Sequence, residues 1–217
     1  MRAQPIYQIR QLIAAFMMTL IAPVFADTLD ISVVDADNEP VPNVAVYVTQ
    51  TGATIASAPG SAIMDQRDTR FEPHMLVIQK GTTVEFPNSD VVAHHVYSFS
   101  KLNDFVLPLY KGDPHEPVLF EHDGIVTLGC NIHDQMLGYI VVVDTDIFGV
   151  TDDAGTLSVV IDDTRGAATV SIWSPRIRDK ELIQVVAATS KSVAFSLQKK
   201  LRLAHDSDTK AMLWSDY

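Results

Sequence analysis

Short apolar segments separated by turn-forming residues run through most of this 217-residue chain. Residues 29–34 and 44–49 alternate apolar and polar side chains around a turn rich in Asp, Asn and Pro, which predicts a hairpin. No stretch before residue 198 shows the 3.6-residue period of an amphipathic helix, so the sequence predicts an all-β sandwich or Greek-key barrel. Further strands are predicted at residues 71–79, 82–86, 96–99, 118–120, 125–128, 137–143, 157–161, 169–173 and 193–197, and a linking loop at residues 51–68.

Composition narrows the classes of protein to which the chain can belong. Hydrophobic residues make up 47% and charged residues 20%, which is ordinary for a packed globular protein and argues against global disorder. The 27 acidic residues outnumber the 16 basic ones, and the net charge of −11 argues against nucleic-acid binding, which needs clustered Lys and Arg. The single cysteine, Cys130, excludes an intrachain disulfide and a zinc site built from several cysteines.

The N-terminal 26 residues have the three parts of a secretory signal peptide. Arg2 and Arg10 precede an apolar run at residues 12–22, and small residues end the segment at Ala26. The run is shorter than the roughly 20 residues that span hydrocarbon, and no later stretch is long and apolar enough to do so. We therefore expect cleavage after Ala26, export to the periplasm and no integral membrane segment in the mature chain, whose 14 basic and 27 acidic residues give −13.

The residues with the most distinctive chemistry lie in one loop between two predicted strands. Cys130, His133 and Met136 have the spacing C-x2-H-x2-M, so a loop that folds back can direct all three side chains to one point. Thiolate, imidazole and a weak thioether are ligands that suit copper cycling between two oxidation states. A second imidazole can come from His94 or His95, and only one of them should point into the site because neighbouring strand residues face opposite sides.

Three further motifs are Phe71-x-Pro73, Gly81-x-x-Val84 and Phe86-x-Asn88-x-Asp90-x-x-x-His94. Together with the loop from Cys130 to Met136, they resemble the plastocyanin and amicyanin branch of the cupredoxins over roughly residues 66–144. The runs at residues 86–88, 94–99 and 129–134 resemble a group of exported proteins labelled methylamine utilization proteins, to which most of the mature chain is similar.

The resemblance implies a Greek-key cupredoxin β-sandwich that holds one type 1 copper and transfers single electrons. Cys130 and His133 would be equatorial ligands and Met136 the axial one, while His94 falls where the pattern has its first histidine. His133 would be the electron port. The excess of acidic charge favours a redox partner with a basic surface, such as a cytochrome or a dehydrogenase.

Other residues are expected to support this copper site. Asn88 and the backbone near His94 are candidates for hydrogen bonds that fix the loop. Three apolar side chains are expected to keep water from the metal: Phe105, Ile132 and Leu137.

The outer blocks of the chain resemble two halves of one smaller sandwich. Residues 34–48 and 148–161 are similar to the opening and later hairpins of carboxypeptidase regulatory-like or transthyretin-like domains. The alternative is that the two blocks are unrelated decorations of the central domain. The predicted division is a signal peptide at 1–26, the first accessory part at 27–65, the cupredoxin domain at 66–144, the second accessory part at 145–200 and a tail at 201–217.

The same loop argues against an enzyme. Multicopper oxidases and copper nitrite reductases place a histidine beside the copper-bound cysteine, whereas Gly129 and Asn131 flank Cys130 here. Hydrolytic zinc prefers an open site with harder ligands. Two alternatives to an electron carrier remain, namely a periplasmic copper carrier or storage protein without redox cycling, and an adhesion or scaffold module, for which Trp173 and Trp214 are the only tryptophans.

Overall fold

A computed structural model describes residues 26–52, 59–112, 114–162, 166–178 and 182–202. Within these ranges every regular element is a strand, and no helix long and apolar enough to cross a membrane occurs among them. The predicted signal peptide up to residue 25 and the tail from residue 203 lie outside the described residues. The strands are β1 (Ala26–Val34), β2 (Ala45–Gln50), β3 (Ser61–Ile63), β4 (Asp65–Arg67), β5 (Arg70–Glu72), β6 (Met75–Gln79), β7 (Thr83–Glu85), β8 (His94–Ser100), β9 (Asn103–Tyr110), β10 (Val118–Leu119), β11 (Gly124–Gly129), β12 (Leu137–Val143), β13 (Ile147–Val150), β14 (Thr156–Asp162), β15 (Ala168–Trp173), β16 (Leu182–Val186) and β17 (Ser192–Ser196).

The central part of the chain forms a β-sandwich, which confirms the predicted all-β class. One sheet has the strand order β6-β12-β11-β8-β9, and the other contains β10-β7-β3, with β4 and β5 forming a separate two-stranded ribbon. Alternate side chains of these strands meet in one apolar core because successive residues of a strand face opposite sides. Its fully buried members include Met64, Phe71, Phe86, Phe120, Leu128, Met136 and Ile140.

Strands from the two ends of the described chain pair with one another in a second sandwich. β1 pairs with β14 and β17, and β2 pairs with β13 and β15. The chain therefore leaves this sandwich after β2 and returns to it at β13, as an inserted central unit requires. The exact domain boundaries stay a prediction; β3, which precedes residue 66, already pairs with β7 of the central sandwich.

Several local predictions were wrong. β1 and β2 do not form a hairpin but lie in different sheets, as do β13 and β14. Alternation shows that one face of a strand is buried, and it is the same whether the next strand lies in its own sheet or in the facing one. The predicted loop at residues 51–68 contains β3 and β4, and the edge strands β9 and β16 were missed.

The two sandwiches pack against each other across β12. The side chains of Ile140 and Val142 enter the central core, whereas those of Tyr139, Val141 and Val143 join a second cluster with residues of β2, β13 and β15. The rings of Tyr139 and Trp173 meet edge to face, with centroids 5.4 Å apart. The accessory sandwich thus covers the outer face of the central one.

We expect Tyr139→Ala to lower the free energy of unfolding by about 3 kcal/mol, because a buried aromatic ring is lost at the seam between the sandwiches. Equilibrium denaturation of the purified protein measures this change. Tyr97→Ala, which truncates a partly exposed tyrosine on β8, is the control and should cost less. Equal losses in the two variants would contradict the prediction, because burial at the seam would then add nothing to the cost of losing a tyrosine ring.

Candidate metal centre

Three strand ends bring the predicted ligands to one end of the central sandwich. His94 begins β8, and Cys130 directly follows β11, which pairs with β8 through Gly129 and Tyr97. Gly129 has no side chain, and a Cβ there would lie 2.6 Å from the Tyr97 ring, so glycine lets that ring lie over the strand beside Cys130. The connection from β11 to β12 then turns back on itself through a hydrogen bond from the Met136 N–H to the His133 carbonyl, 2.8 Å long.

The side chains of His94, Cys130 and His133 form a compact triangle of donor atoms that can hold a metal ion. The two Nδ1 atoms are 3.0 Å apart, and Cys130 Sγ lies 3.9 Å from Nδ1 of His94 and 3.7 Å from Nδ1 of His133. A point equidistant from three atoms with these separations lies about 2.1 Å from each. Metal–nitrogen and metal–sulfur bonds to such ligands are roughly 2.0 to 2.3 Å long, so the triangle fits a metal without rearrangement.

The structure distinguishes His94 from His95. His94 is fully buried with its Nδ1 towards Cys130, whereas His95 is only partly buried and lies outside the donor triangle. Neighbouring residues of β8 face opposite sides of the sheet, and this alternation separates the two rings. Met136 is 1% exposed and belongs to the same apolar cluster as Cys130. Its role as an axial ligand stays a prediction.

A carboxylate that the sequence interpretation did not assign supports the buried histidine. Asp90 Oδ2 lies 3.0 Å from His94 Nε2, and its side chain is 7% exposed. A proton on Nε2 that is donated to Asp90 leaves the Nδ1 lone pair free to face the metal position. The signal was present in the sequence as an Asp four residues before the histidine, but spacing alone does not show that the two side chains meet.

The hydrogen bonds of Asn88 fix the loop that contains Asp90, whereas we expected them to fix the loop from Cys130 to Met136. Its amide nitrogen donates to the carbonyls of Val92 and Tyr110, at 3.0 and 2.9 Å. Its Oδ1 accepts the N–H of Asp90 at 3.0 Å. The loop is therefore tied both to itself and to the end of β9, which limits how far Asp90 can move.

Local hydrogen bonds keep Asp90 ionised. The backbone N–H of Thr69 lowers the pKa of Asp90 most, and despite the opposing effect of burial the hydrogen bond to His94 helps to bring that pKa to about 2. A carboxyl whose pKa is lower in the folded state stabilises the fold above its unfolded pKa, and that stability is lost as pH falls through the folded value.

For the metal-free protein, we expect the stability contributed by Asp90 to disappear as pH falls from about 4 to about 2. Asp90→Asn removes the ionisable group, so the variant should lose less stability across this interval than the parent protein does. Urea unfolding at a series of pH values measures both slopes. Asp153→Asn, which changes an exposed carboxylate on the accessory sandwich, is the control. Parallel curves for Asp90→Asn and the parent would contradict the assignment.

Tyr110 is a neutral polar side chain in the same buried cluster as Cys130. Its hydroxyl donates to the carbonyl of Phe86 and accepts from the side-chain amide of Gln66. Burial raises the pKa of Tyr110 to about 12, so its hydroxyl stays protonated at ordinary pH. The Tyr110 side chain therefore adds hydrogen bonds but no charge near Cys130.

The apolar surroundings differ from the prediction. Phe105 packs against the core that contains Cys130, but Leu137 packs on the opposite cluster between the sandwiches. Ile132 is 50% exposed and cannot seal the site. Ile132 instead lies on the surface beside His133, which is only partly buried and is the most accessible of the three clustered side chains.

Comparison with known proteins gives matches only among solved structures. No family model matches the chain, and no curated protein matches it. A purple cupredoxin from Nitrosopumilus maritimus is 25% identical, with 38% of this chain and 99% of that chain covered and a TM-score of 0.34. An amicyanin variant in its reduced Cu(I) form at pH 4 is 20% identical over 45% and 98% of the two chains, with a TM-score of 0.36. A pseudoazurin from Sinorhizobium meliloti is 21% identical over 40% and 76%, with a TM-score of 0.31.

The donor triangle at one end of a two-sheet sandwich agrees with the resemblance seen in the sequence motifs. In its two sheets and its donor set, the central sandwich resembles the cupredoxins. A thiolate with two imidazoles suits copper better than the hard cations, which prefer oxygen ligands. The cupredoxin-like sandwich therefore has a donor set for copper, and the narrower similarity to methylamine utilization proteins stays a prediction.

Proposed function

We propose that this protein is an exported type 1 copper protein that carries one electron at a time between periplasmic redox partners. His94, Cys130 and His133 are the equatorial ligands of this proposal, and Met136 is the axial one. The observation that supports it best is the donor triangle, because a metal placed at equal distances from its three atoms would be at bonding distance from each of them. Bound copper would supply a one-electron couple between Cu(I) and Cu(II).

The residues around the site hold its geometry constant. Cys130 is 4% exposed and His94 is fully buried, and both are attached to paired strands. Asp90 holds the His94 ring from the side away from the metal position. Ligands that are already in place before the metal arrives need little rearrangement on a change of its charge, and such a site favours fast electron transfer over bond-making chemistry. This is also why we assign no enzymatic activity.

His133 is the proposed port for the electron, because it is the clustered side chain with the greatest exposure. Apolar side chains within three residues of the ligands in sequence are also exposed: Ile132 by 50%, Val91 by 80% and Val92 by 40%. A small apolar rim suits a weak, transient encounter. With a mature net charge of −13, the partner we propose is a cytochrome or dehydrogenase with a basic surface.

A copper carrier or storage protein is a weaker proposal for the same residues. A carrier passes its metal to a second set of ligands, which must reach the metal position. The burial of His94 and Cys130 opposes such exchange. No comparable feature of the described residues favours an adhesion module.

The test is to add Cu(II) to the purified mature protein and record visible and electron spin resonance spectra. An intense thiolate-to-copper band with narrow copper hyperfine splitting supports the proposal. A pale signal with wide splitting, or reduction to Cu(I) with oxidation of the thiol, contradicts it and favours the carrier. Cys130→Ser, treated identically, is the control for copper bound elsewhere.

A further inference from the structure

The ribbon formed by β4 and β5 ends in a turn that L-residues seldom adopt. Arg67 pairs with Arg70, so Asp68 and Thr69 alone make the turn. Both have positive φ angles, 51° and 57°, as a type I′ turn requires. Asn-Gly and Asp-Gly are the usual pairs for such a turn, and a β-branched residue such as Thr69 is an outlier there. Outliers of this kind persist where the surrounding structure holds them and concentrate at functional sites.

The Asp68–Thr69 turn contacts Asp90, the carboxylate that holds the His94 ring. The Thr69 N–H donates to Asp90 Oδ2 at 2.7 Å, and the same oxygen lies 3.0 Å from His94 Nε2. A continuous path of hydrogen bonds therefore joins the turn of the ribbon to the buried histidine.

The base of the ribbon is attached to the same loop. Asp65 Oδ1 accepts the N–H of Ser89 at 3.2 Å, next to Asp90. The N–H and the side-chain amide of Gln66 both donate to the Pro87 carbonyl, each at 3.1 Å. The ribbon thus holds the loop at Pro87 and Ser89, which both precede Asp90, and neither contact involves a metal ligand.

We propose that this ribbon is a positioning element for the metal centre, with the Thr69 N–H as its decisive contact. It holds Asp90 against His94, and Asp90 keeps the proton on His94 Nε2 so that Nδ1 faces the metal. The inference rests on the proposed function because its consequence is the reduction potential of the bound copper. A carboxylate that partners the ring of a ligand favours the more positive Cu(II), so loosening Asp90 raises the potential.

The experiment removes the Thr69 N–H with Thr69→Pro. Asp68→Gly is the matched control, since it changes the same turn, tolerates positive φ and leaves the Thr69 N–H in place. Proline cannot adopt the φ of residue 69, so Thr69→Pro can fail to fold. Asp65→Ala is therefore a second way to loosen the loop that contains Asp90, because it removes the acceptor of the Ser89 N–H. Asp90→Asn is combined with Thr69→Pro in a double-mutant cycle.

The first readout uses metal-free protein and needs no copper chemistry. Nitrogen NMR of the imidazoles should show His94 protonated on Nε2 in the parent and in Asp68→Gly, with the Nδ1–H form increasing in Thr69→Pro and Asp65→Ala. In copper-loaded protein the potential should rise in both loosened variants, with roughly tenfold weaker copper binding. In the double variant, Thr69→Pro should add no further shift in potential to that caused by Asp90→Asn.

Three results would overturn the inference. The first is an unchanged His94 tautomer in folded Thr69→Pro and Asp65→Ala. The second is a reduction potential in these two variants equal to that of the parent. The third is a shift in potential from Thr69→Pro that adds to the shift from Asp90→Asn. If the parent protein forms no type 1 site, the proposed function fails, and the tautomer in metal-free protein still decides whether the ribbon positions His94.

Discussion

Cys130→Ser is expected to remove the intense visible band of the copper-loaded protein while the fold remains. The band requires a sulfur ligand, and a serine hydroxyl does not ionise to replace a thiolate at neutral pH. The substitution is close in size, but it places a hydroxyl where the cysteine is only 4% exposed, so the metal-free variant should lose about 1 to 3 kcal/mol of stability and still fold. Visible spectroscopy and urea unfolding give the two results.

Asn131→Ser is the matched control for this experiment. Asn131 lies next to Cys130 in the same loop, but its side chain is exposed and outside the donor triangle. The control should keep the band. A coloured Cys130→Ser protein would show that the thiolate is not a ligand, and a colourless control would show that any change in the loop destroys the site.

His94→Gly and His95→Gly are expected to have opposite outcomes. His94 contributes one corner of the donor triangle, so its loss should eliminate the type 1 spectrum and weaken copper binding by about 100-fold. His95 faces away from that triangle, and its loss should leave the spectrum intact. Copper titration followed by electron spin resonance compares the two variants directly.

Added imidazole tests whether the loss in His94→Gly is local. The glycine leaves a fully buried space beside Asp90, in which free imidazole can donate the same hydrogen bond to the carboxylate and offer its other nitrogen to the metal. Return of the band with imidazole supports a missing ligand rather than a damaged fold. Equal loss in both variants would contradict the separation of the two rings across β8.

The accessory sandwich has a structural role that the chain order alone did not reveal. Its strands β2, β13 and β15 cover the face of β12 that the central core does not use, and this explains why β12 is buried on both sides. Val141 and Val143 would otherwise be exposed to water. The ligand loop that ends at β12 is therefore anchored to a strand held by both sandwiches.

Local patterns were sufficient to predict the loop chemistry and most strands. Cys130, His133 and Met136 lie within seven residues, so their spacing limits how far apart the side chains can be. Strands such as β11 and β12, with nearly continuous Val, Ile and Leu, are evident without any partner. Edge strands were not, because β9 contains Asn103, Asp104 and Pro108 and becomes a strand only through its pairing with β8.

What the sequence by itself determined is the all-β class and a short-range donor set that suits copper, because period-two alternation and the C-x2-H-x2-M spacing are local properties of the chain. Only the tertiary structure shows that the ring of His94, and not that of His95, lies beside Cys130, because which face of β8 meets Cys130 depends on its pairing with β11. It alone brought Asp90 and Thr69 together, since 21 residues separate them in sequence. Contacts between distant segments depend on the arrangement of whole sheets, which no local pattern specifies.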